Sequence, residues 1–568
     1  MKKKGVVASV GLAVAVSVGL TAFYSKPSRS KADARPNIII IMADDMGYSD
    51  LGCYGGEIKT PNIDYLANNG LRFTQFYNTS RCCPTRASLL TGLYNHQAGI
   101  GKMTDEESIP GYRGHLAENT VTIAEVLKAA GYQTGMTGKW HVSNTIVQKN
   151  PKDQLDWLNH KKDFGDFGPL NQYPTARGFD KYFGNIWGVV DFFDPFSLVN
   201  GTKPVTQVPK NYYHTDAISD STVAYIQSFA KSSSPFFLYV AHTAPHWPLM
   251  ALPEDIEKYK DTYKSGWDAI RKNRYERMVK MGLIDPKTTP LSERWDKQQT
   301  WEANADKEWD ARAMAVHAAM IDRMDQGIGR MLQTLRQTGQ LENTLIVFLS
   351  DNGASPENCA AYGPGFDRPN ETRDGRPISY DLKKQVMPGP QTSFASIGQR
   401  WSNVSNTPYQ YWKAESFEGG IHTPMVAFWP KGIKAKKGSY SAQMGHVMDF
   451  MRTCVEISGA KYPQTFQGRS ISPSTGQSLV PAFQGKTNGG HTSLFNEHFG
   501  ARYARSGNWK LVSASRDTTW HLFDLANDKT ETNDVAAKYP EKVNELKKQW
   551  QAWAKTHQVL PKPNTVRR

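Results

Sequence analysis

The sequence predicts an α/β chain with a mostly parallel central sheet, followed by a smaller C-terminal α+β module with an antiparallel sheet. Three observations predict it. Apolar runs without internal alternation, such as Ile38–Ala43 in "RPNIIIIMADD", suit strands buried on both faces. Those runs alternate with helix-like segments, the order that gives parallel sheets. From about residue 485 the pattern changes to short alternating strands separated by turn residues.

The elements follow in order. Residues 1–34 open with Lys2, Lys3 and Lys4, continue as an apolar run from Gly5 to Tyr24, and offer the cleavage pattern Ala32-Asp33-Ala34. This predicts an export signal, with an uncleaved anchor as the alternative, since about 20 apolar residues can span a bilayer. No later stretch is apolar and long enough to do so. In "TPNIDYLANNG", Thr60 is placed as N-cap, Pro61 at the first helical position and Gly70 as the stop. A helix is expected over 121–130, ended by Gly131, then a strand from Tyr132 to Met136. Further strands are expected at 236–241 and 344–349, the second after a long helix, and another in "TPMVAFWP". Residues 250–310 read as a charged, helical insertion, and 358–412 as a long polar loop near the active site. Pro540 starts a final helix over 540–556.

Composition narrows the function. The formal charge is +14, and residues 1–34 contribute +5 of it through six Lys/Arg and one Asp, leaving about +9 for an exported chain. That points first to anionic partners. No Lys/Arg-rich block lies outside the signal, which argues against nucleic acid. The five cysteines, Cys53, Cys82, Cys83, Cys359 and Cys454, are odd in number, so at least one cannot pair within the chain. No CxxC or Cys/His pattern suggests zinc.

Ligands in open α/β sheets gather at the carboxyl ends of strands. Asp44-Asp45 follow the first strand, Lys139 and His141 the 132–136 strand, His242 and His246 the 236–241 strand, and Asp351-Asn352 the 344–349 strand. Asp44, Asp45, Asp351 and Asn352 form an all-oxygen set of the kind Ca²⁺ or Mg²⁺ takes; the same residues also serve as caps and turns. In "SRCCPTRASLLTG", Pro84 suits a first helical turn and Leu89, Leu90 and Leu93 a buried face. Cys82 then lies at an electropositive helix end, with Arg86 one turn on to meet an anion. The other reading of either cysteine is a small buried apolar residue.

Cys82-Cys83-Pro84-Thr85-Arg86 with Leu90-Thr91-Gly92 resembles the type I sulfatase signature C-x-P-x-R-x-x-x-L-T-G. "NIIIIMADDMGYSDLGCYGG", "TGKWH", "APHWP", "LSDNG" and "KAESFEGGIHTP" support the resemblance, which spans residues 36 to about 556. It implies an alkaline-phosphatase-like α/β/α sandwich, with a catalytic domain over 35–484 and a C-terminal subdomain over 485–568. It implies that Cys82 is oxidised to Cα-formylglycine by a maturing enzyme acting on the unfolded chain. One Ca²⁺ would be held by Asp44, Asp45, Asp351, Asn352 and the modified residue 82. Arg86 would steady the nucleophile, and Lys139 and Lys413 would neutralise sulfate. His246 would protonate the leaving oxygen, and His141 would take the proton that lets sulfate be expelled. Asp351 would receive the proton of the attacking aldehyde hydrate. His422 stands where the family often has Arg.

The implied activity is hydrolysis of a sulfated carbohydrate or aryl sulfate by a periplasmic or extracellular enzyme without nucleic acid or a stable membrane partner. The rivals are a phosphonate monoester or phosphodiester hydrolase of the same superfamily, a two-metal phosphatase, and an inactive glycan-binding homologue. The sulfated position, endo or exo action, oligomeric state and any pairing of Cys53, Cys83, Cys359 and Cys454 are not legible in the sequence.

Overall fold

Strand β1 (Asn37–Ala43) lies in the middle of the structure, and its residues show why. Ile39 and Ile41 face one apolar layer, Ile38 and Ile40 the other, so both faces require aliphatic side chains. Each such burial contributes about 1.5–3 kcal/mol. The computed structural model describes residues 1–5, 34–294, 296–486 and 489–561. The predicted export signal therefore falls mostly outside the described residues.

The sheet continues with β2 (Leu71–Phe73), β3 (Gln133–Gly138), β4 (Lys181–Asn185), β5 (Leu198–Asn200) and β6 (Lys203–Pro204). It is completed by β7 (Phe236–Ala241), β8 (Thr344–Ser350), β9 (Met425–Phe428) and β10 (Ser439–Ser441). The spatial order is β10-β2-β9-β8-β1-β7-β3-β4-β5-β6. β1 runs parallel to β7 and β8, and β3 parallel to β7 and β4, whereas β9 is antiparallel to β8. The carboxyl ends of β8, β1, β7 and β3 therefore open side by side along one edge.

Nine helices matter here: α1 (Pro61–Asn69), α2 (Cys82–Thr91), α3 (Ile123–Ala129), α4 (His214–Phe229), α5 (Gly266–Lys280), α6 (Lys307–Gln337), α7 (Gly398–Ser405), α8 (Asp449–Ser458) and α9 (Pro540–Thr556). α1, α4 and α6 cover the face of Ile39 and Ile41, while α2, α3 and α8 cover that of Ile38 and Ile40. This is the α/β/α sandwich. Four antiparallel strands, β11 (Ser493–His498), β12 (Ala501–Ser506), β13 (Trp509–Ser513) and β14 (His521–Asp524), form a separate sheet. Leu546, Trp550 and Trp553 of α9 close its core, which also takes in Tyr77, Phe417 and Ile421.

The differences from expectation have local causes. α3 starts at Ile123, not 121, because Thr122 is its cap. Thr122 Oγ1 accepts from the Glu125 N–H at 3.1 Å, and the Glu125 carboxylate accepts from the Thr122 N–H at 2.7 Å. The strand expected over 132–136 is β3, shifted to 133–138. The 250–310 insertion is helical only over Pro253–Glu257, α5 and the start of α6; Pro286 and Pro290, which lack backbone N–H groups, fall in the irregular stretch between. The 358–412 segment is irregular as expected except for a turn at Cys359–Tyr362 and α7. α2 is buried on every side, not on one leucine face. Among the described residues no helix is long and apolar enough to cross a membrane.

Candidate active site

α2 begins at Cys82 itself, with extended Arg81 as its cap, and Gly92 at φ 72° ends it by donating to the Ser88 carbonyl at 2.9 Å. Its first turn is the floor of the site. One turn in, Arg86 is fully buried and donates through Nη2 to Asp351 Oδ2 at 2.8 Å; Asp44 Oδ2 lies 3.5 Å away. Arg86 Nη1 also donates to the Lys139 carbonyl at 3.0 Å, tying the helix to the end of β3.

The strand ends deliver the acids. Asp44 and Asp45 follow β1, and Asp351 and Asn352 follow β8, all buried. The Asp45 N–H donates to Asp351 Oδ1 at 3.3 Å, and Asn352 Nδ2 donates to Asp45 Oδ1 at 2.7 Å. Asp45 and His141 have φ of 66° and 53°, left-handed conformations that cost a non-glycine residue about 1–3 kcal/mol and persist where the surroundings impose them. Gly188 passes beneath His141; a Cβ there would sit 2.5 Å from its Cε1.

Cations pair with these acids. Lys139 Nζ donates to Asp44 Oδ2 at 2.5 Å. Lys413 Nζ, brought in by a loop whose backbone bonds to Ala354 and Ser80, donates to Asp45 Oδ2 at 2.8 Å and lies 3.2 Å from His246 Nε2. His246 Nδ1 is 2.6 Å from the Trp247 carbonyl, so Nδ1 carries the fixed proton and Nε2 faces the pocket's charges. Cys82, Cys83 and His141 cluster, with their ligand atoms within 4.8 Å of one another.

The charges set the protonation states. Burial works to raise the Asp44 carboxyl, but Lys139, His246 and Arg86 bring it to about 2. Burial, with Asp44 adding to it, pushes Asp351 well above the usual carboxylate range. Burial lowers His141 to about 4 and also lowers His246. The Cys82 thiol is held well below its usual value, first by its hydrogen bond with Cys83 and then by Lys139 and His141 acting against burial.

The oxygen set fits a hard divalent cation. Asp44 Oδ1 and Asn352 Oδ1 are buried without a hydrogen-bond partner among the described residues, and three carboxylates crowd a space where one of them already resists ionising. Asp44, Asp45 and His246 place ligand atoms within 4.8 Å of one another.

Of the sequence-predicted residues, Asp44, Asp45, Cys82, Arg86, Lys139, His141, His246, Asp351, Asn352 and Lys413 converge here. His242 does not: its charged neighbours are Arg330 and Asp216, in the helix layer behind the sheet, and burial lowers it to about 3. His422 is also outside, 3.0 Å from Glu418 and stacked on Tyr409. Sequence reasoning missed Glu357, which accepts from Arg81 at 3.1 Å, Lys413 at 3.2 Å and Trp247 at 2.9 Å. It sits five residues beyond Asn352 in an irregular stretch with no strand to flag it.

Comparison with known proteins agrees with this geometry. The family model for sulfatases matches residues 36–460, and that for the C-terminal region of N-sulphoglucosamine sulphohydrolase matches 410–556. An arylsulfatase of Klebsiella aerogenes is 35% identical, covering 84% of this chain and 96% of its own. An uncharacterized sulfatase of Schizosaccharomyces pombe is 32% identical, covering 95% and 97%. The solved structure of Ps i-CgsB in complex with k-i-k-neocarrahexaose superposes with a TM-score of 0.62 at 24% identity, covering 92% and 93%.

Proposed function

Because this chain belongs to the sulfatase family and is a sulfuric ester hydrolase, we propose that it desulfates a sulfated carbohydrate with residue 82 as nucleophile. The observation that carries this reading is the convergence of Cys82, three cations and an all-oxygen set with two unpartnered oxygens at one strand edge. Cys82 is the position converted to formylglycine, whose hydrated aldehyde supplies a hydroxyl able to attack sulfur. Asp44, Asp45, Asp351 and Asn352 would hold Ca²⁺, which supplies positive charge where oxygen charge develops.

The chain's own residues do the rest. Lys139 and Lys413 are already fixed by Asp44 and Asp45, so they meet the sulfate oxygens without reorganising. Arg86 holds the end of α2 against the carboxylates. Asp351 takes the proton released by the attacking hydroxyl. His246, once protonated at Nε2 in the substrate complex, delivers that proton to the leaving oxygen, and neutral His141 accepts one from the remaining hydroxyl of residue 82, so that sulfate departs and the aldehyde returns.

A sugar substrate is supported by the net positive charge and by the similarity to the C-terminal region of a sulphoglucosamine sulphohydrolase. Export to the periplasm or beyond, a catalytic unit over 35–484 and a C-terminal subdomain over 485–568 belong to the same reading. The test joins mass spectrometry of the Cys82 peptide to hydrolysis of an aryl sulfate and an aryl phosphonate. The peptide is expected to be about 18 Da lighter than the cysteine form, as when a thiol becomes an aldehyde. The aryl sulfate is expected to be preferred, and Cys82→Ala to be inactive. A fully active Cys82→Ala would overturn the aldehyde chemistry, and preference for the phosphonate would overturn the substrate class.

A further inference from the structure

Two large aromatic side chains stand open to solvent beside the site: Tyr362 is 49% exposed and Phe366 46%. They belong to one short segment that spans the pocket from side to side. At one end the Tyr362 hydroxyl donates to Glu357 Oε1 at 3.4 Å, while Glu357 Oε2 accepts from Lys413; the Tyr362 ring lies 5.9 Å from Trp247, the neighbour of His246. At the other end Phe366 stacks on Trp187 with centroids 6.0 Å apart and 19° between planes, and Gly188 next to Trp187 carries His141. The segment therefore lies across the mouth through which a leaving group must extend.

The segment is built to stay there. Gly365 and Arg368 exchange two backbone hydrogen bonds of 2.8 and 2.9 Å, and Gln154 Nε2 donates to the Phe366 carbonyl at 2.5 Å. Phe366 adopts φ 52°, an unfavourable conformation for an aromatic residue, at the point where its ring is turned outward. Arg368 lies over the Tyr362 ring at 5.5 Å and donates from Nη1 to Asp367 Oδ1 at 2.6 Å, engaging one of that carboxylate's two oxygens. Asp367 has a side chain only 12% exposed, and both Lys139 and Glu357 are close enough to act on it.

We propose that Tyr362–Arg368 is a leaving-group subsite for a pyranose, with the Phe366 and Tyr362 rings carrying the sugar face and Asp367 accepting from its hydroxyls. The ligand class follows from the chemistry present. Flat apolar rings match the C–H face of a pyranose, and a carboxylate beside them matches a hydroxylated rim. The inference rests on the carbohydrate reading above.

Phe366→Ala and Asp367→Asn test it. The probes are galactose 6-sulfate, N-acetylglucosamine 6-sulfate and a carrageenan tetrasaccharide, with 4-nitrophenyl sulfate turnover and inhibition by inorganic sulfate as controls. Each variant is expected to lower kcat/KM on the best sugar about 10-fold or more, mainly through KM, Phe366→Ala by loss of the stacking face and Asp367→Asn by loss of a hydrogen bond to a charged group. Inhibition by inorganic sulfate should stay at the wild-type value in Phe366→Ala, and in Asp367→Asn 4-nitrophenyl sulfate turnover should fall much less than sugar turnover, because that substrate has no hydroxyl rim. Wild-type kinetics of both variants on the sugars would overturn the subsite, and so would equal losses in sugar turnover and sulfate inhibition. If the wild type turns over 4-nitrophenyl sulfate but none of the sugars, the carbohydrate reading itself falls, and the subsite with it.

Discussion

Replacing His246 by Gln should separate substrates by their leaving groups. His246 does two things in the structure: Nε2 lies 3.2 Å from Lys413 Nζ, and it is the nitrogen free to carry a proton to the departing oxygen. The first function concerns the sulfate end and is common to every substrate. Its loss, one hydrogen bond to a charged group, costs about 1.5–3 kcal/mol at most, and Lys413 retains Asp45 and Glu357. The second matters only when the leaving oxygen is too basic to depart as an anion. General acid catalysis supplies about 10²–10⁴-fold, or about 3–5 kcal/mol, and a sugar alkoxide needs it where a nitrophenolate does not. The assay is kcat/KM of wild type and His246→Gln on 4-nitrophenyl sulfate and on the best sugar sulfate. The expected result is a loss on the sugar larger by about 10²-fold or more. Equal losses on the two substrates would refute the assignment of the proton to His246 and leave it a partner of Lys413 only.

Other outcomes follow from the same charges. Chelation of the purified enzyme should abolish turnover and lower Tm, and Ca²⁺ should restore both better than Mg²⁺, because a crowded set of carboxylate and amide oxygens suits the larger ion; unchanged Tm and turnover after exhaustive chelation would remove the metal from the reading. Glu357→Gln keeps the shape but frees Arg81 and Lys413 of a shared partner, so kcat/KM should fall about 10–100-fold while inhibition by sulfate weakens; unchanged kinetics would show that Asp45 alone positions Lys413. Glu531 predicts a pH dependence far from the site. Burial, against the pull of Lys510, raises its carboxyl from 4.5 to about 7, so between those pH values the native state holds a proton that the unfolded state has released. Stability should therefore fall as pH rises through this window, by at most about 3 kcal/mol, shared with Glu418 through Lys510. Urea unfolding at pH 5 and pH 8 should show this slope in wild type and its loss in Glu531→Gln.

Much of the molecule was legible because its signals are local. A strand buried on both faces must be apolar throughout, so β1, β7 and β8 could be read directly, and polar residues directly after them had to lie at one edge once the strands ran parallel. The helix 540–556 announces itself by Pro540 and its spacing. What could not be read depends on contacts distant in sequence. Glu357 matters through Arg81, Trp247 and Lys413, none of which is near it in the chain. His242 has the same strand-end address as His246, yet the chain carries it to the other layer. The complete burial of α2 is equally non-local, since β1, α3 and α8 surround it.

The cysteine pair shows how position within a helix can separate two chemically identical neighbours. Consecutive residues on an α-helix point about 100° apart, so Cys82 and Cys83, although their thiols hydrogen-bond to each other, meet different neighbours beyond that contact. Cys82 faces Lys139 and His141, and its thiol is drawn down. Cys83 turns toward the Lys102 carbonyl and Met103 Sδ, each 3.6 Å from its sulfur, and burial pushes its thiol well up. Burial raises Cys53, Cys359 and Cys454 in the same direction, and all five cysteines are free. The odd number that raised the question of pairing is therefore beside the point: four thiols behave as small apolar side chains, and one is set apart by its surroundings. Cys83→Ser should consequently cost stability through a buried hydroxyl and leave the mass change at residue 82 intact. Loss of that mass change in Cys83→Ser would show that the second cysteine takes part in conversion of the first.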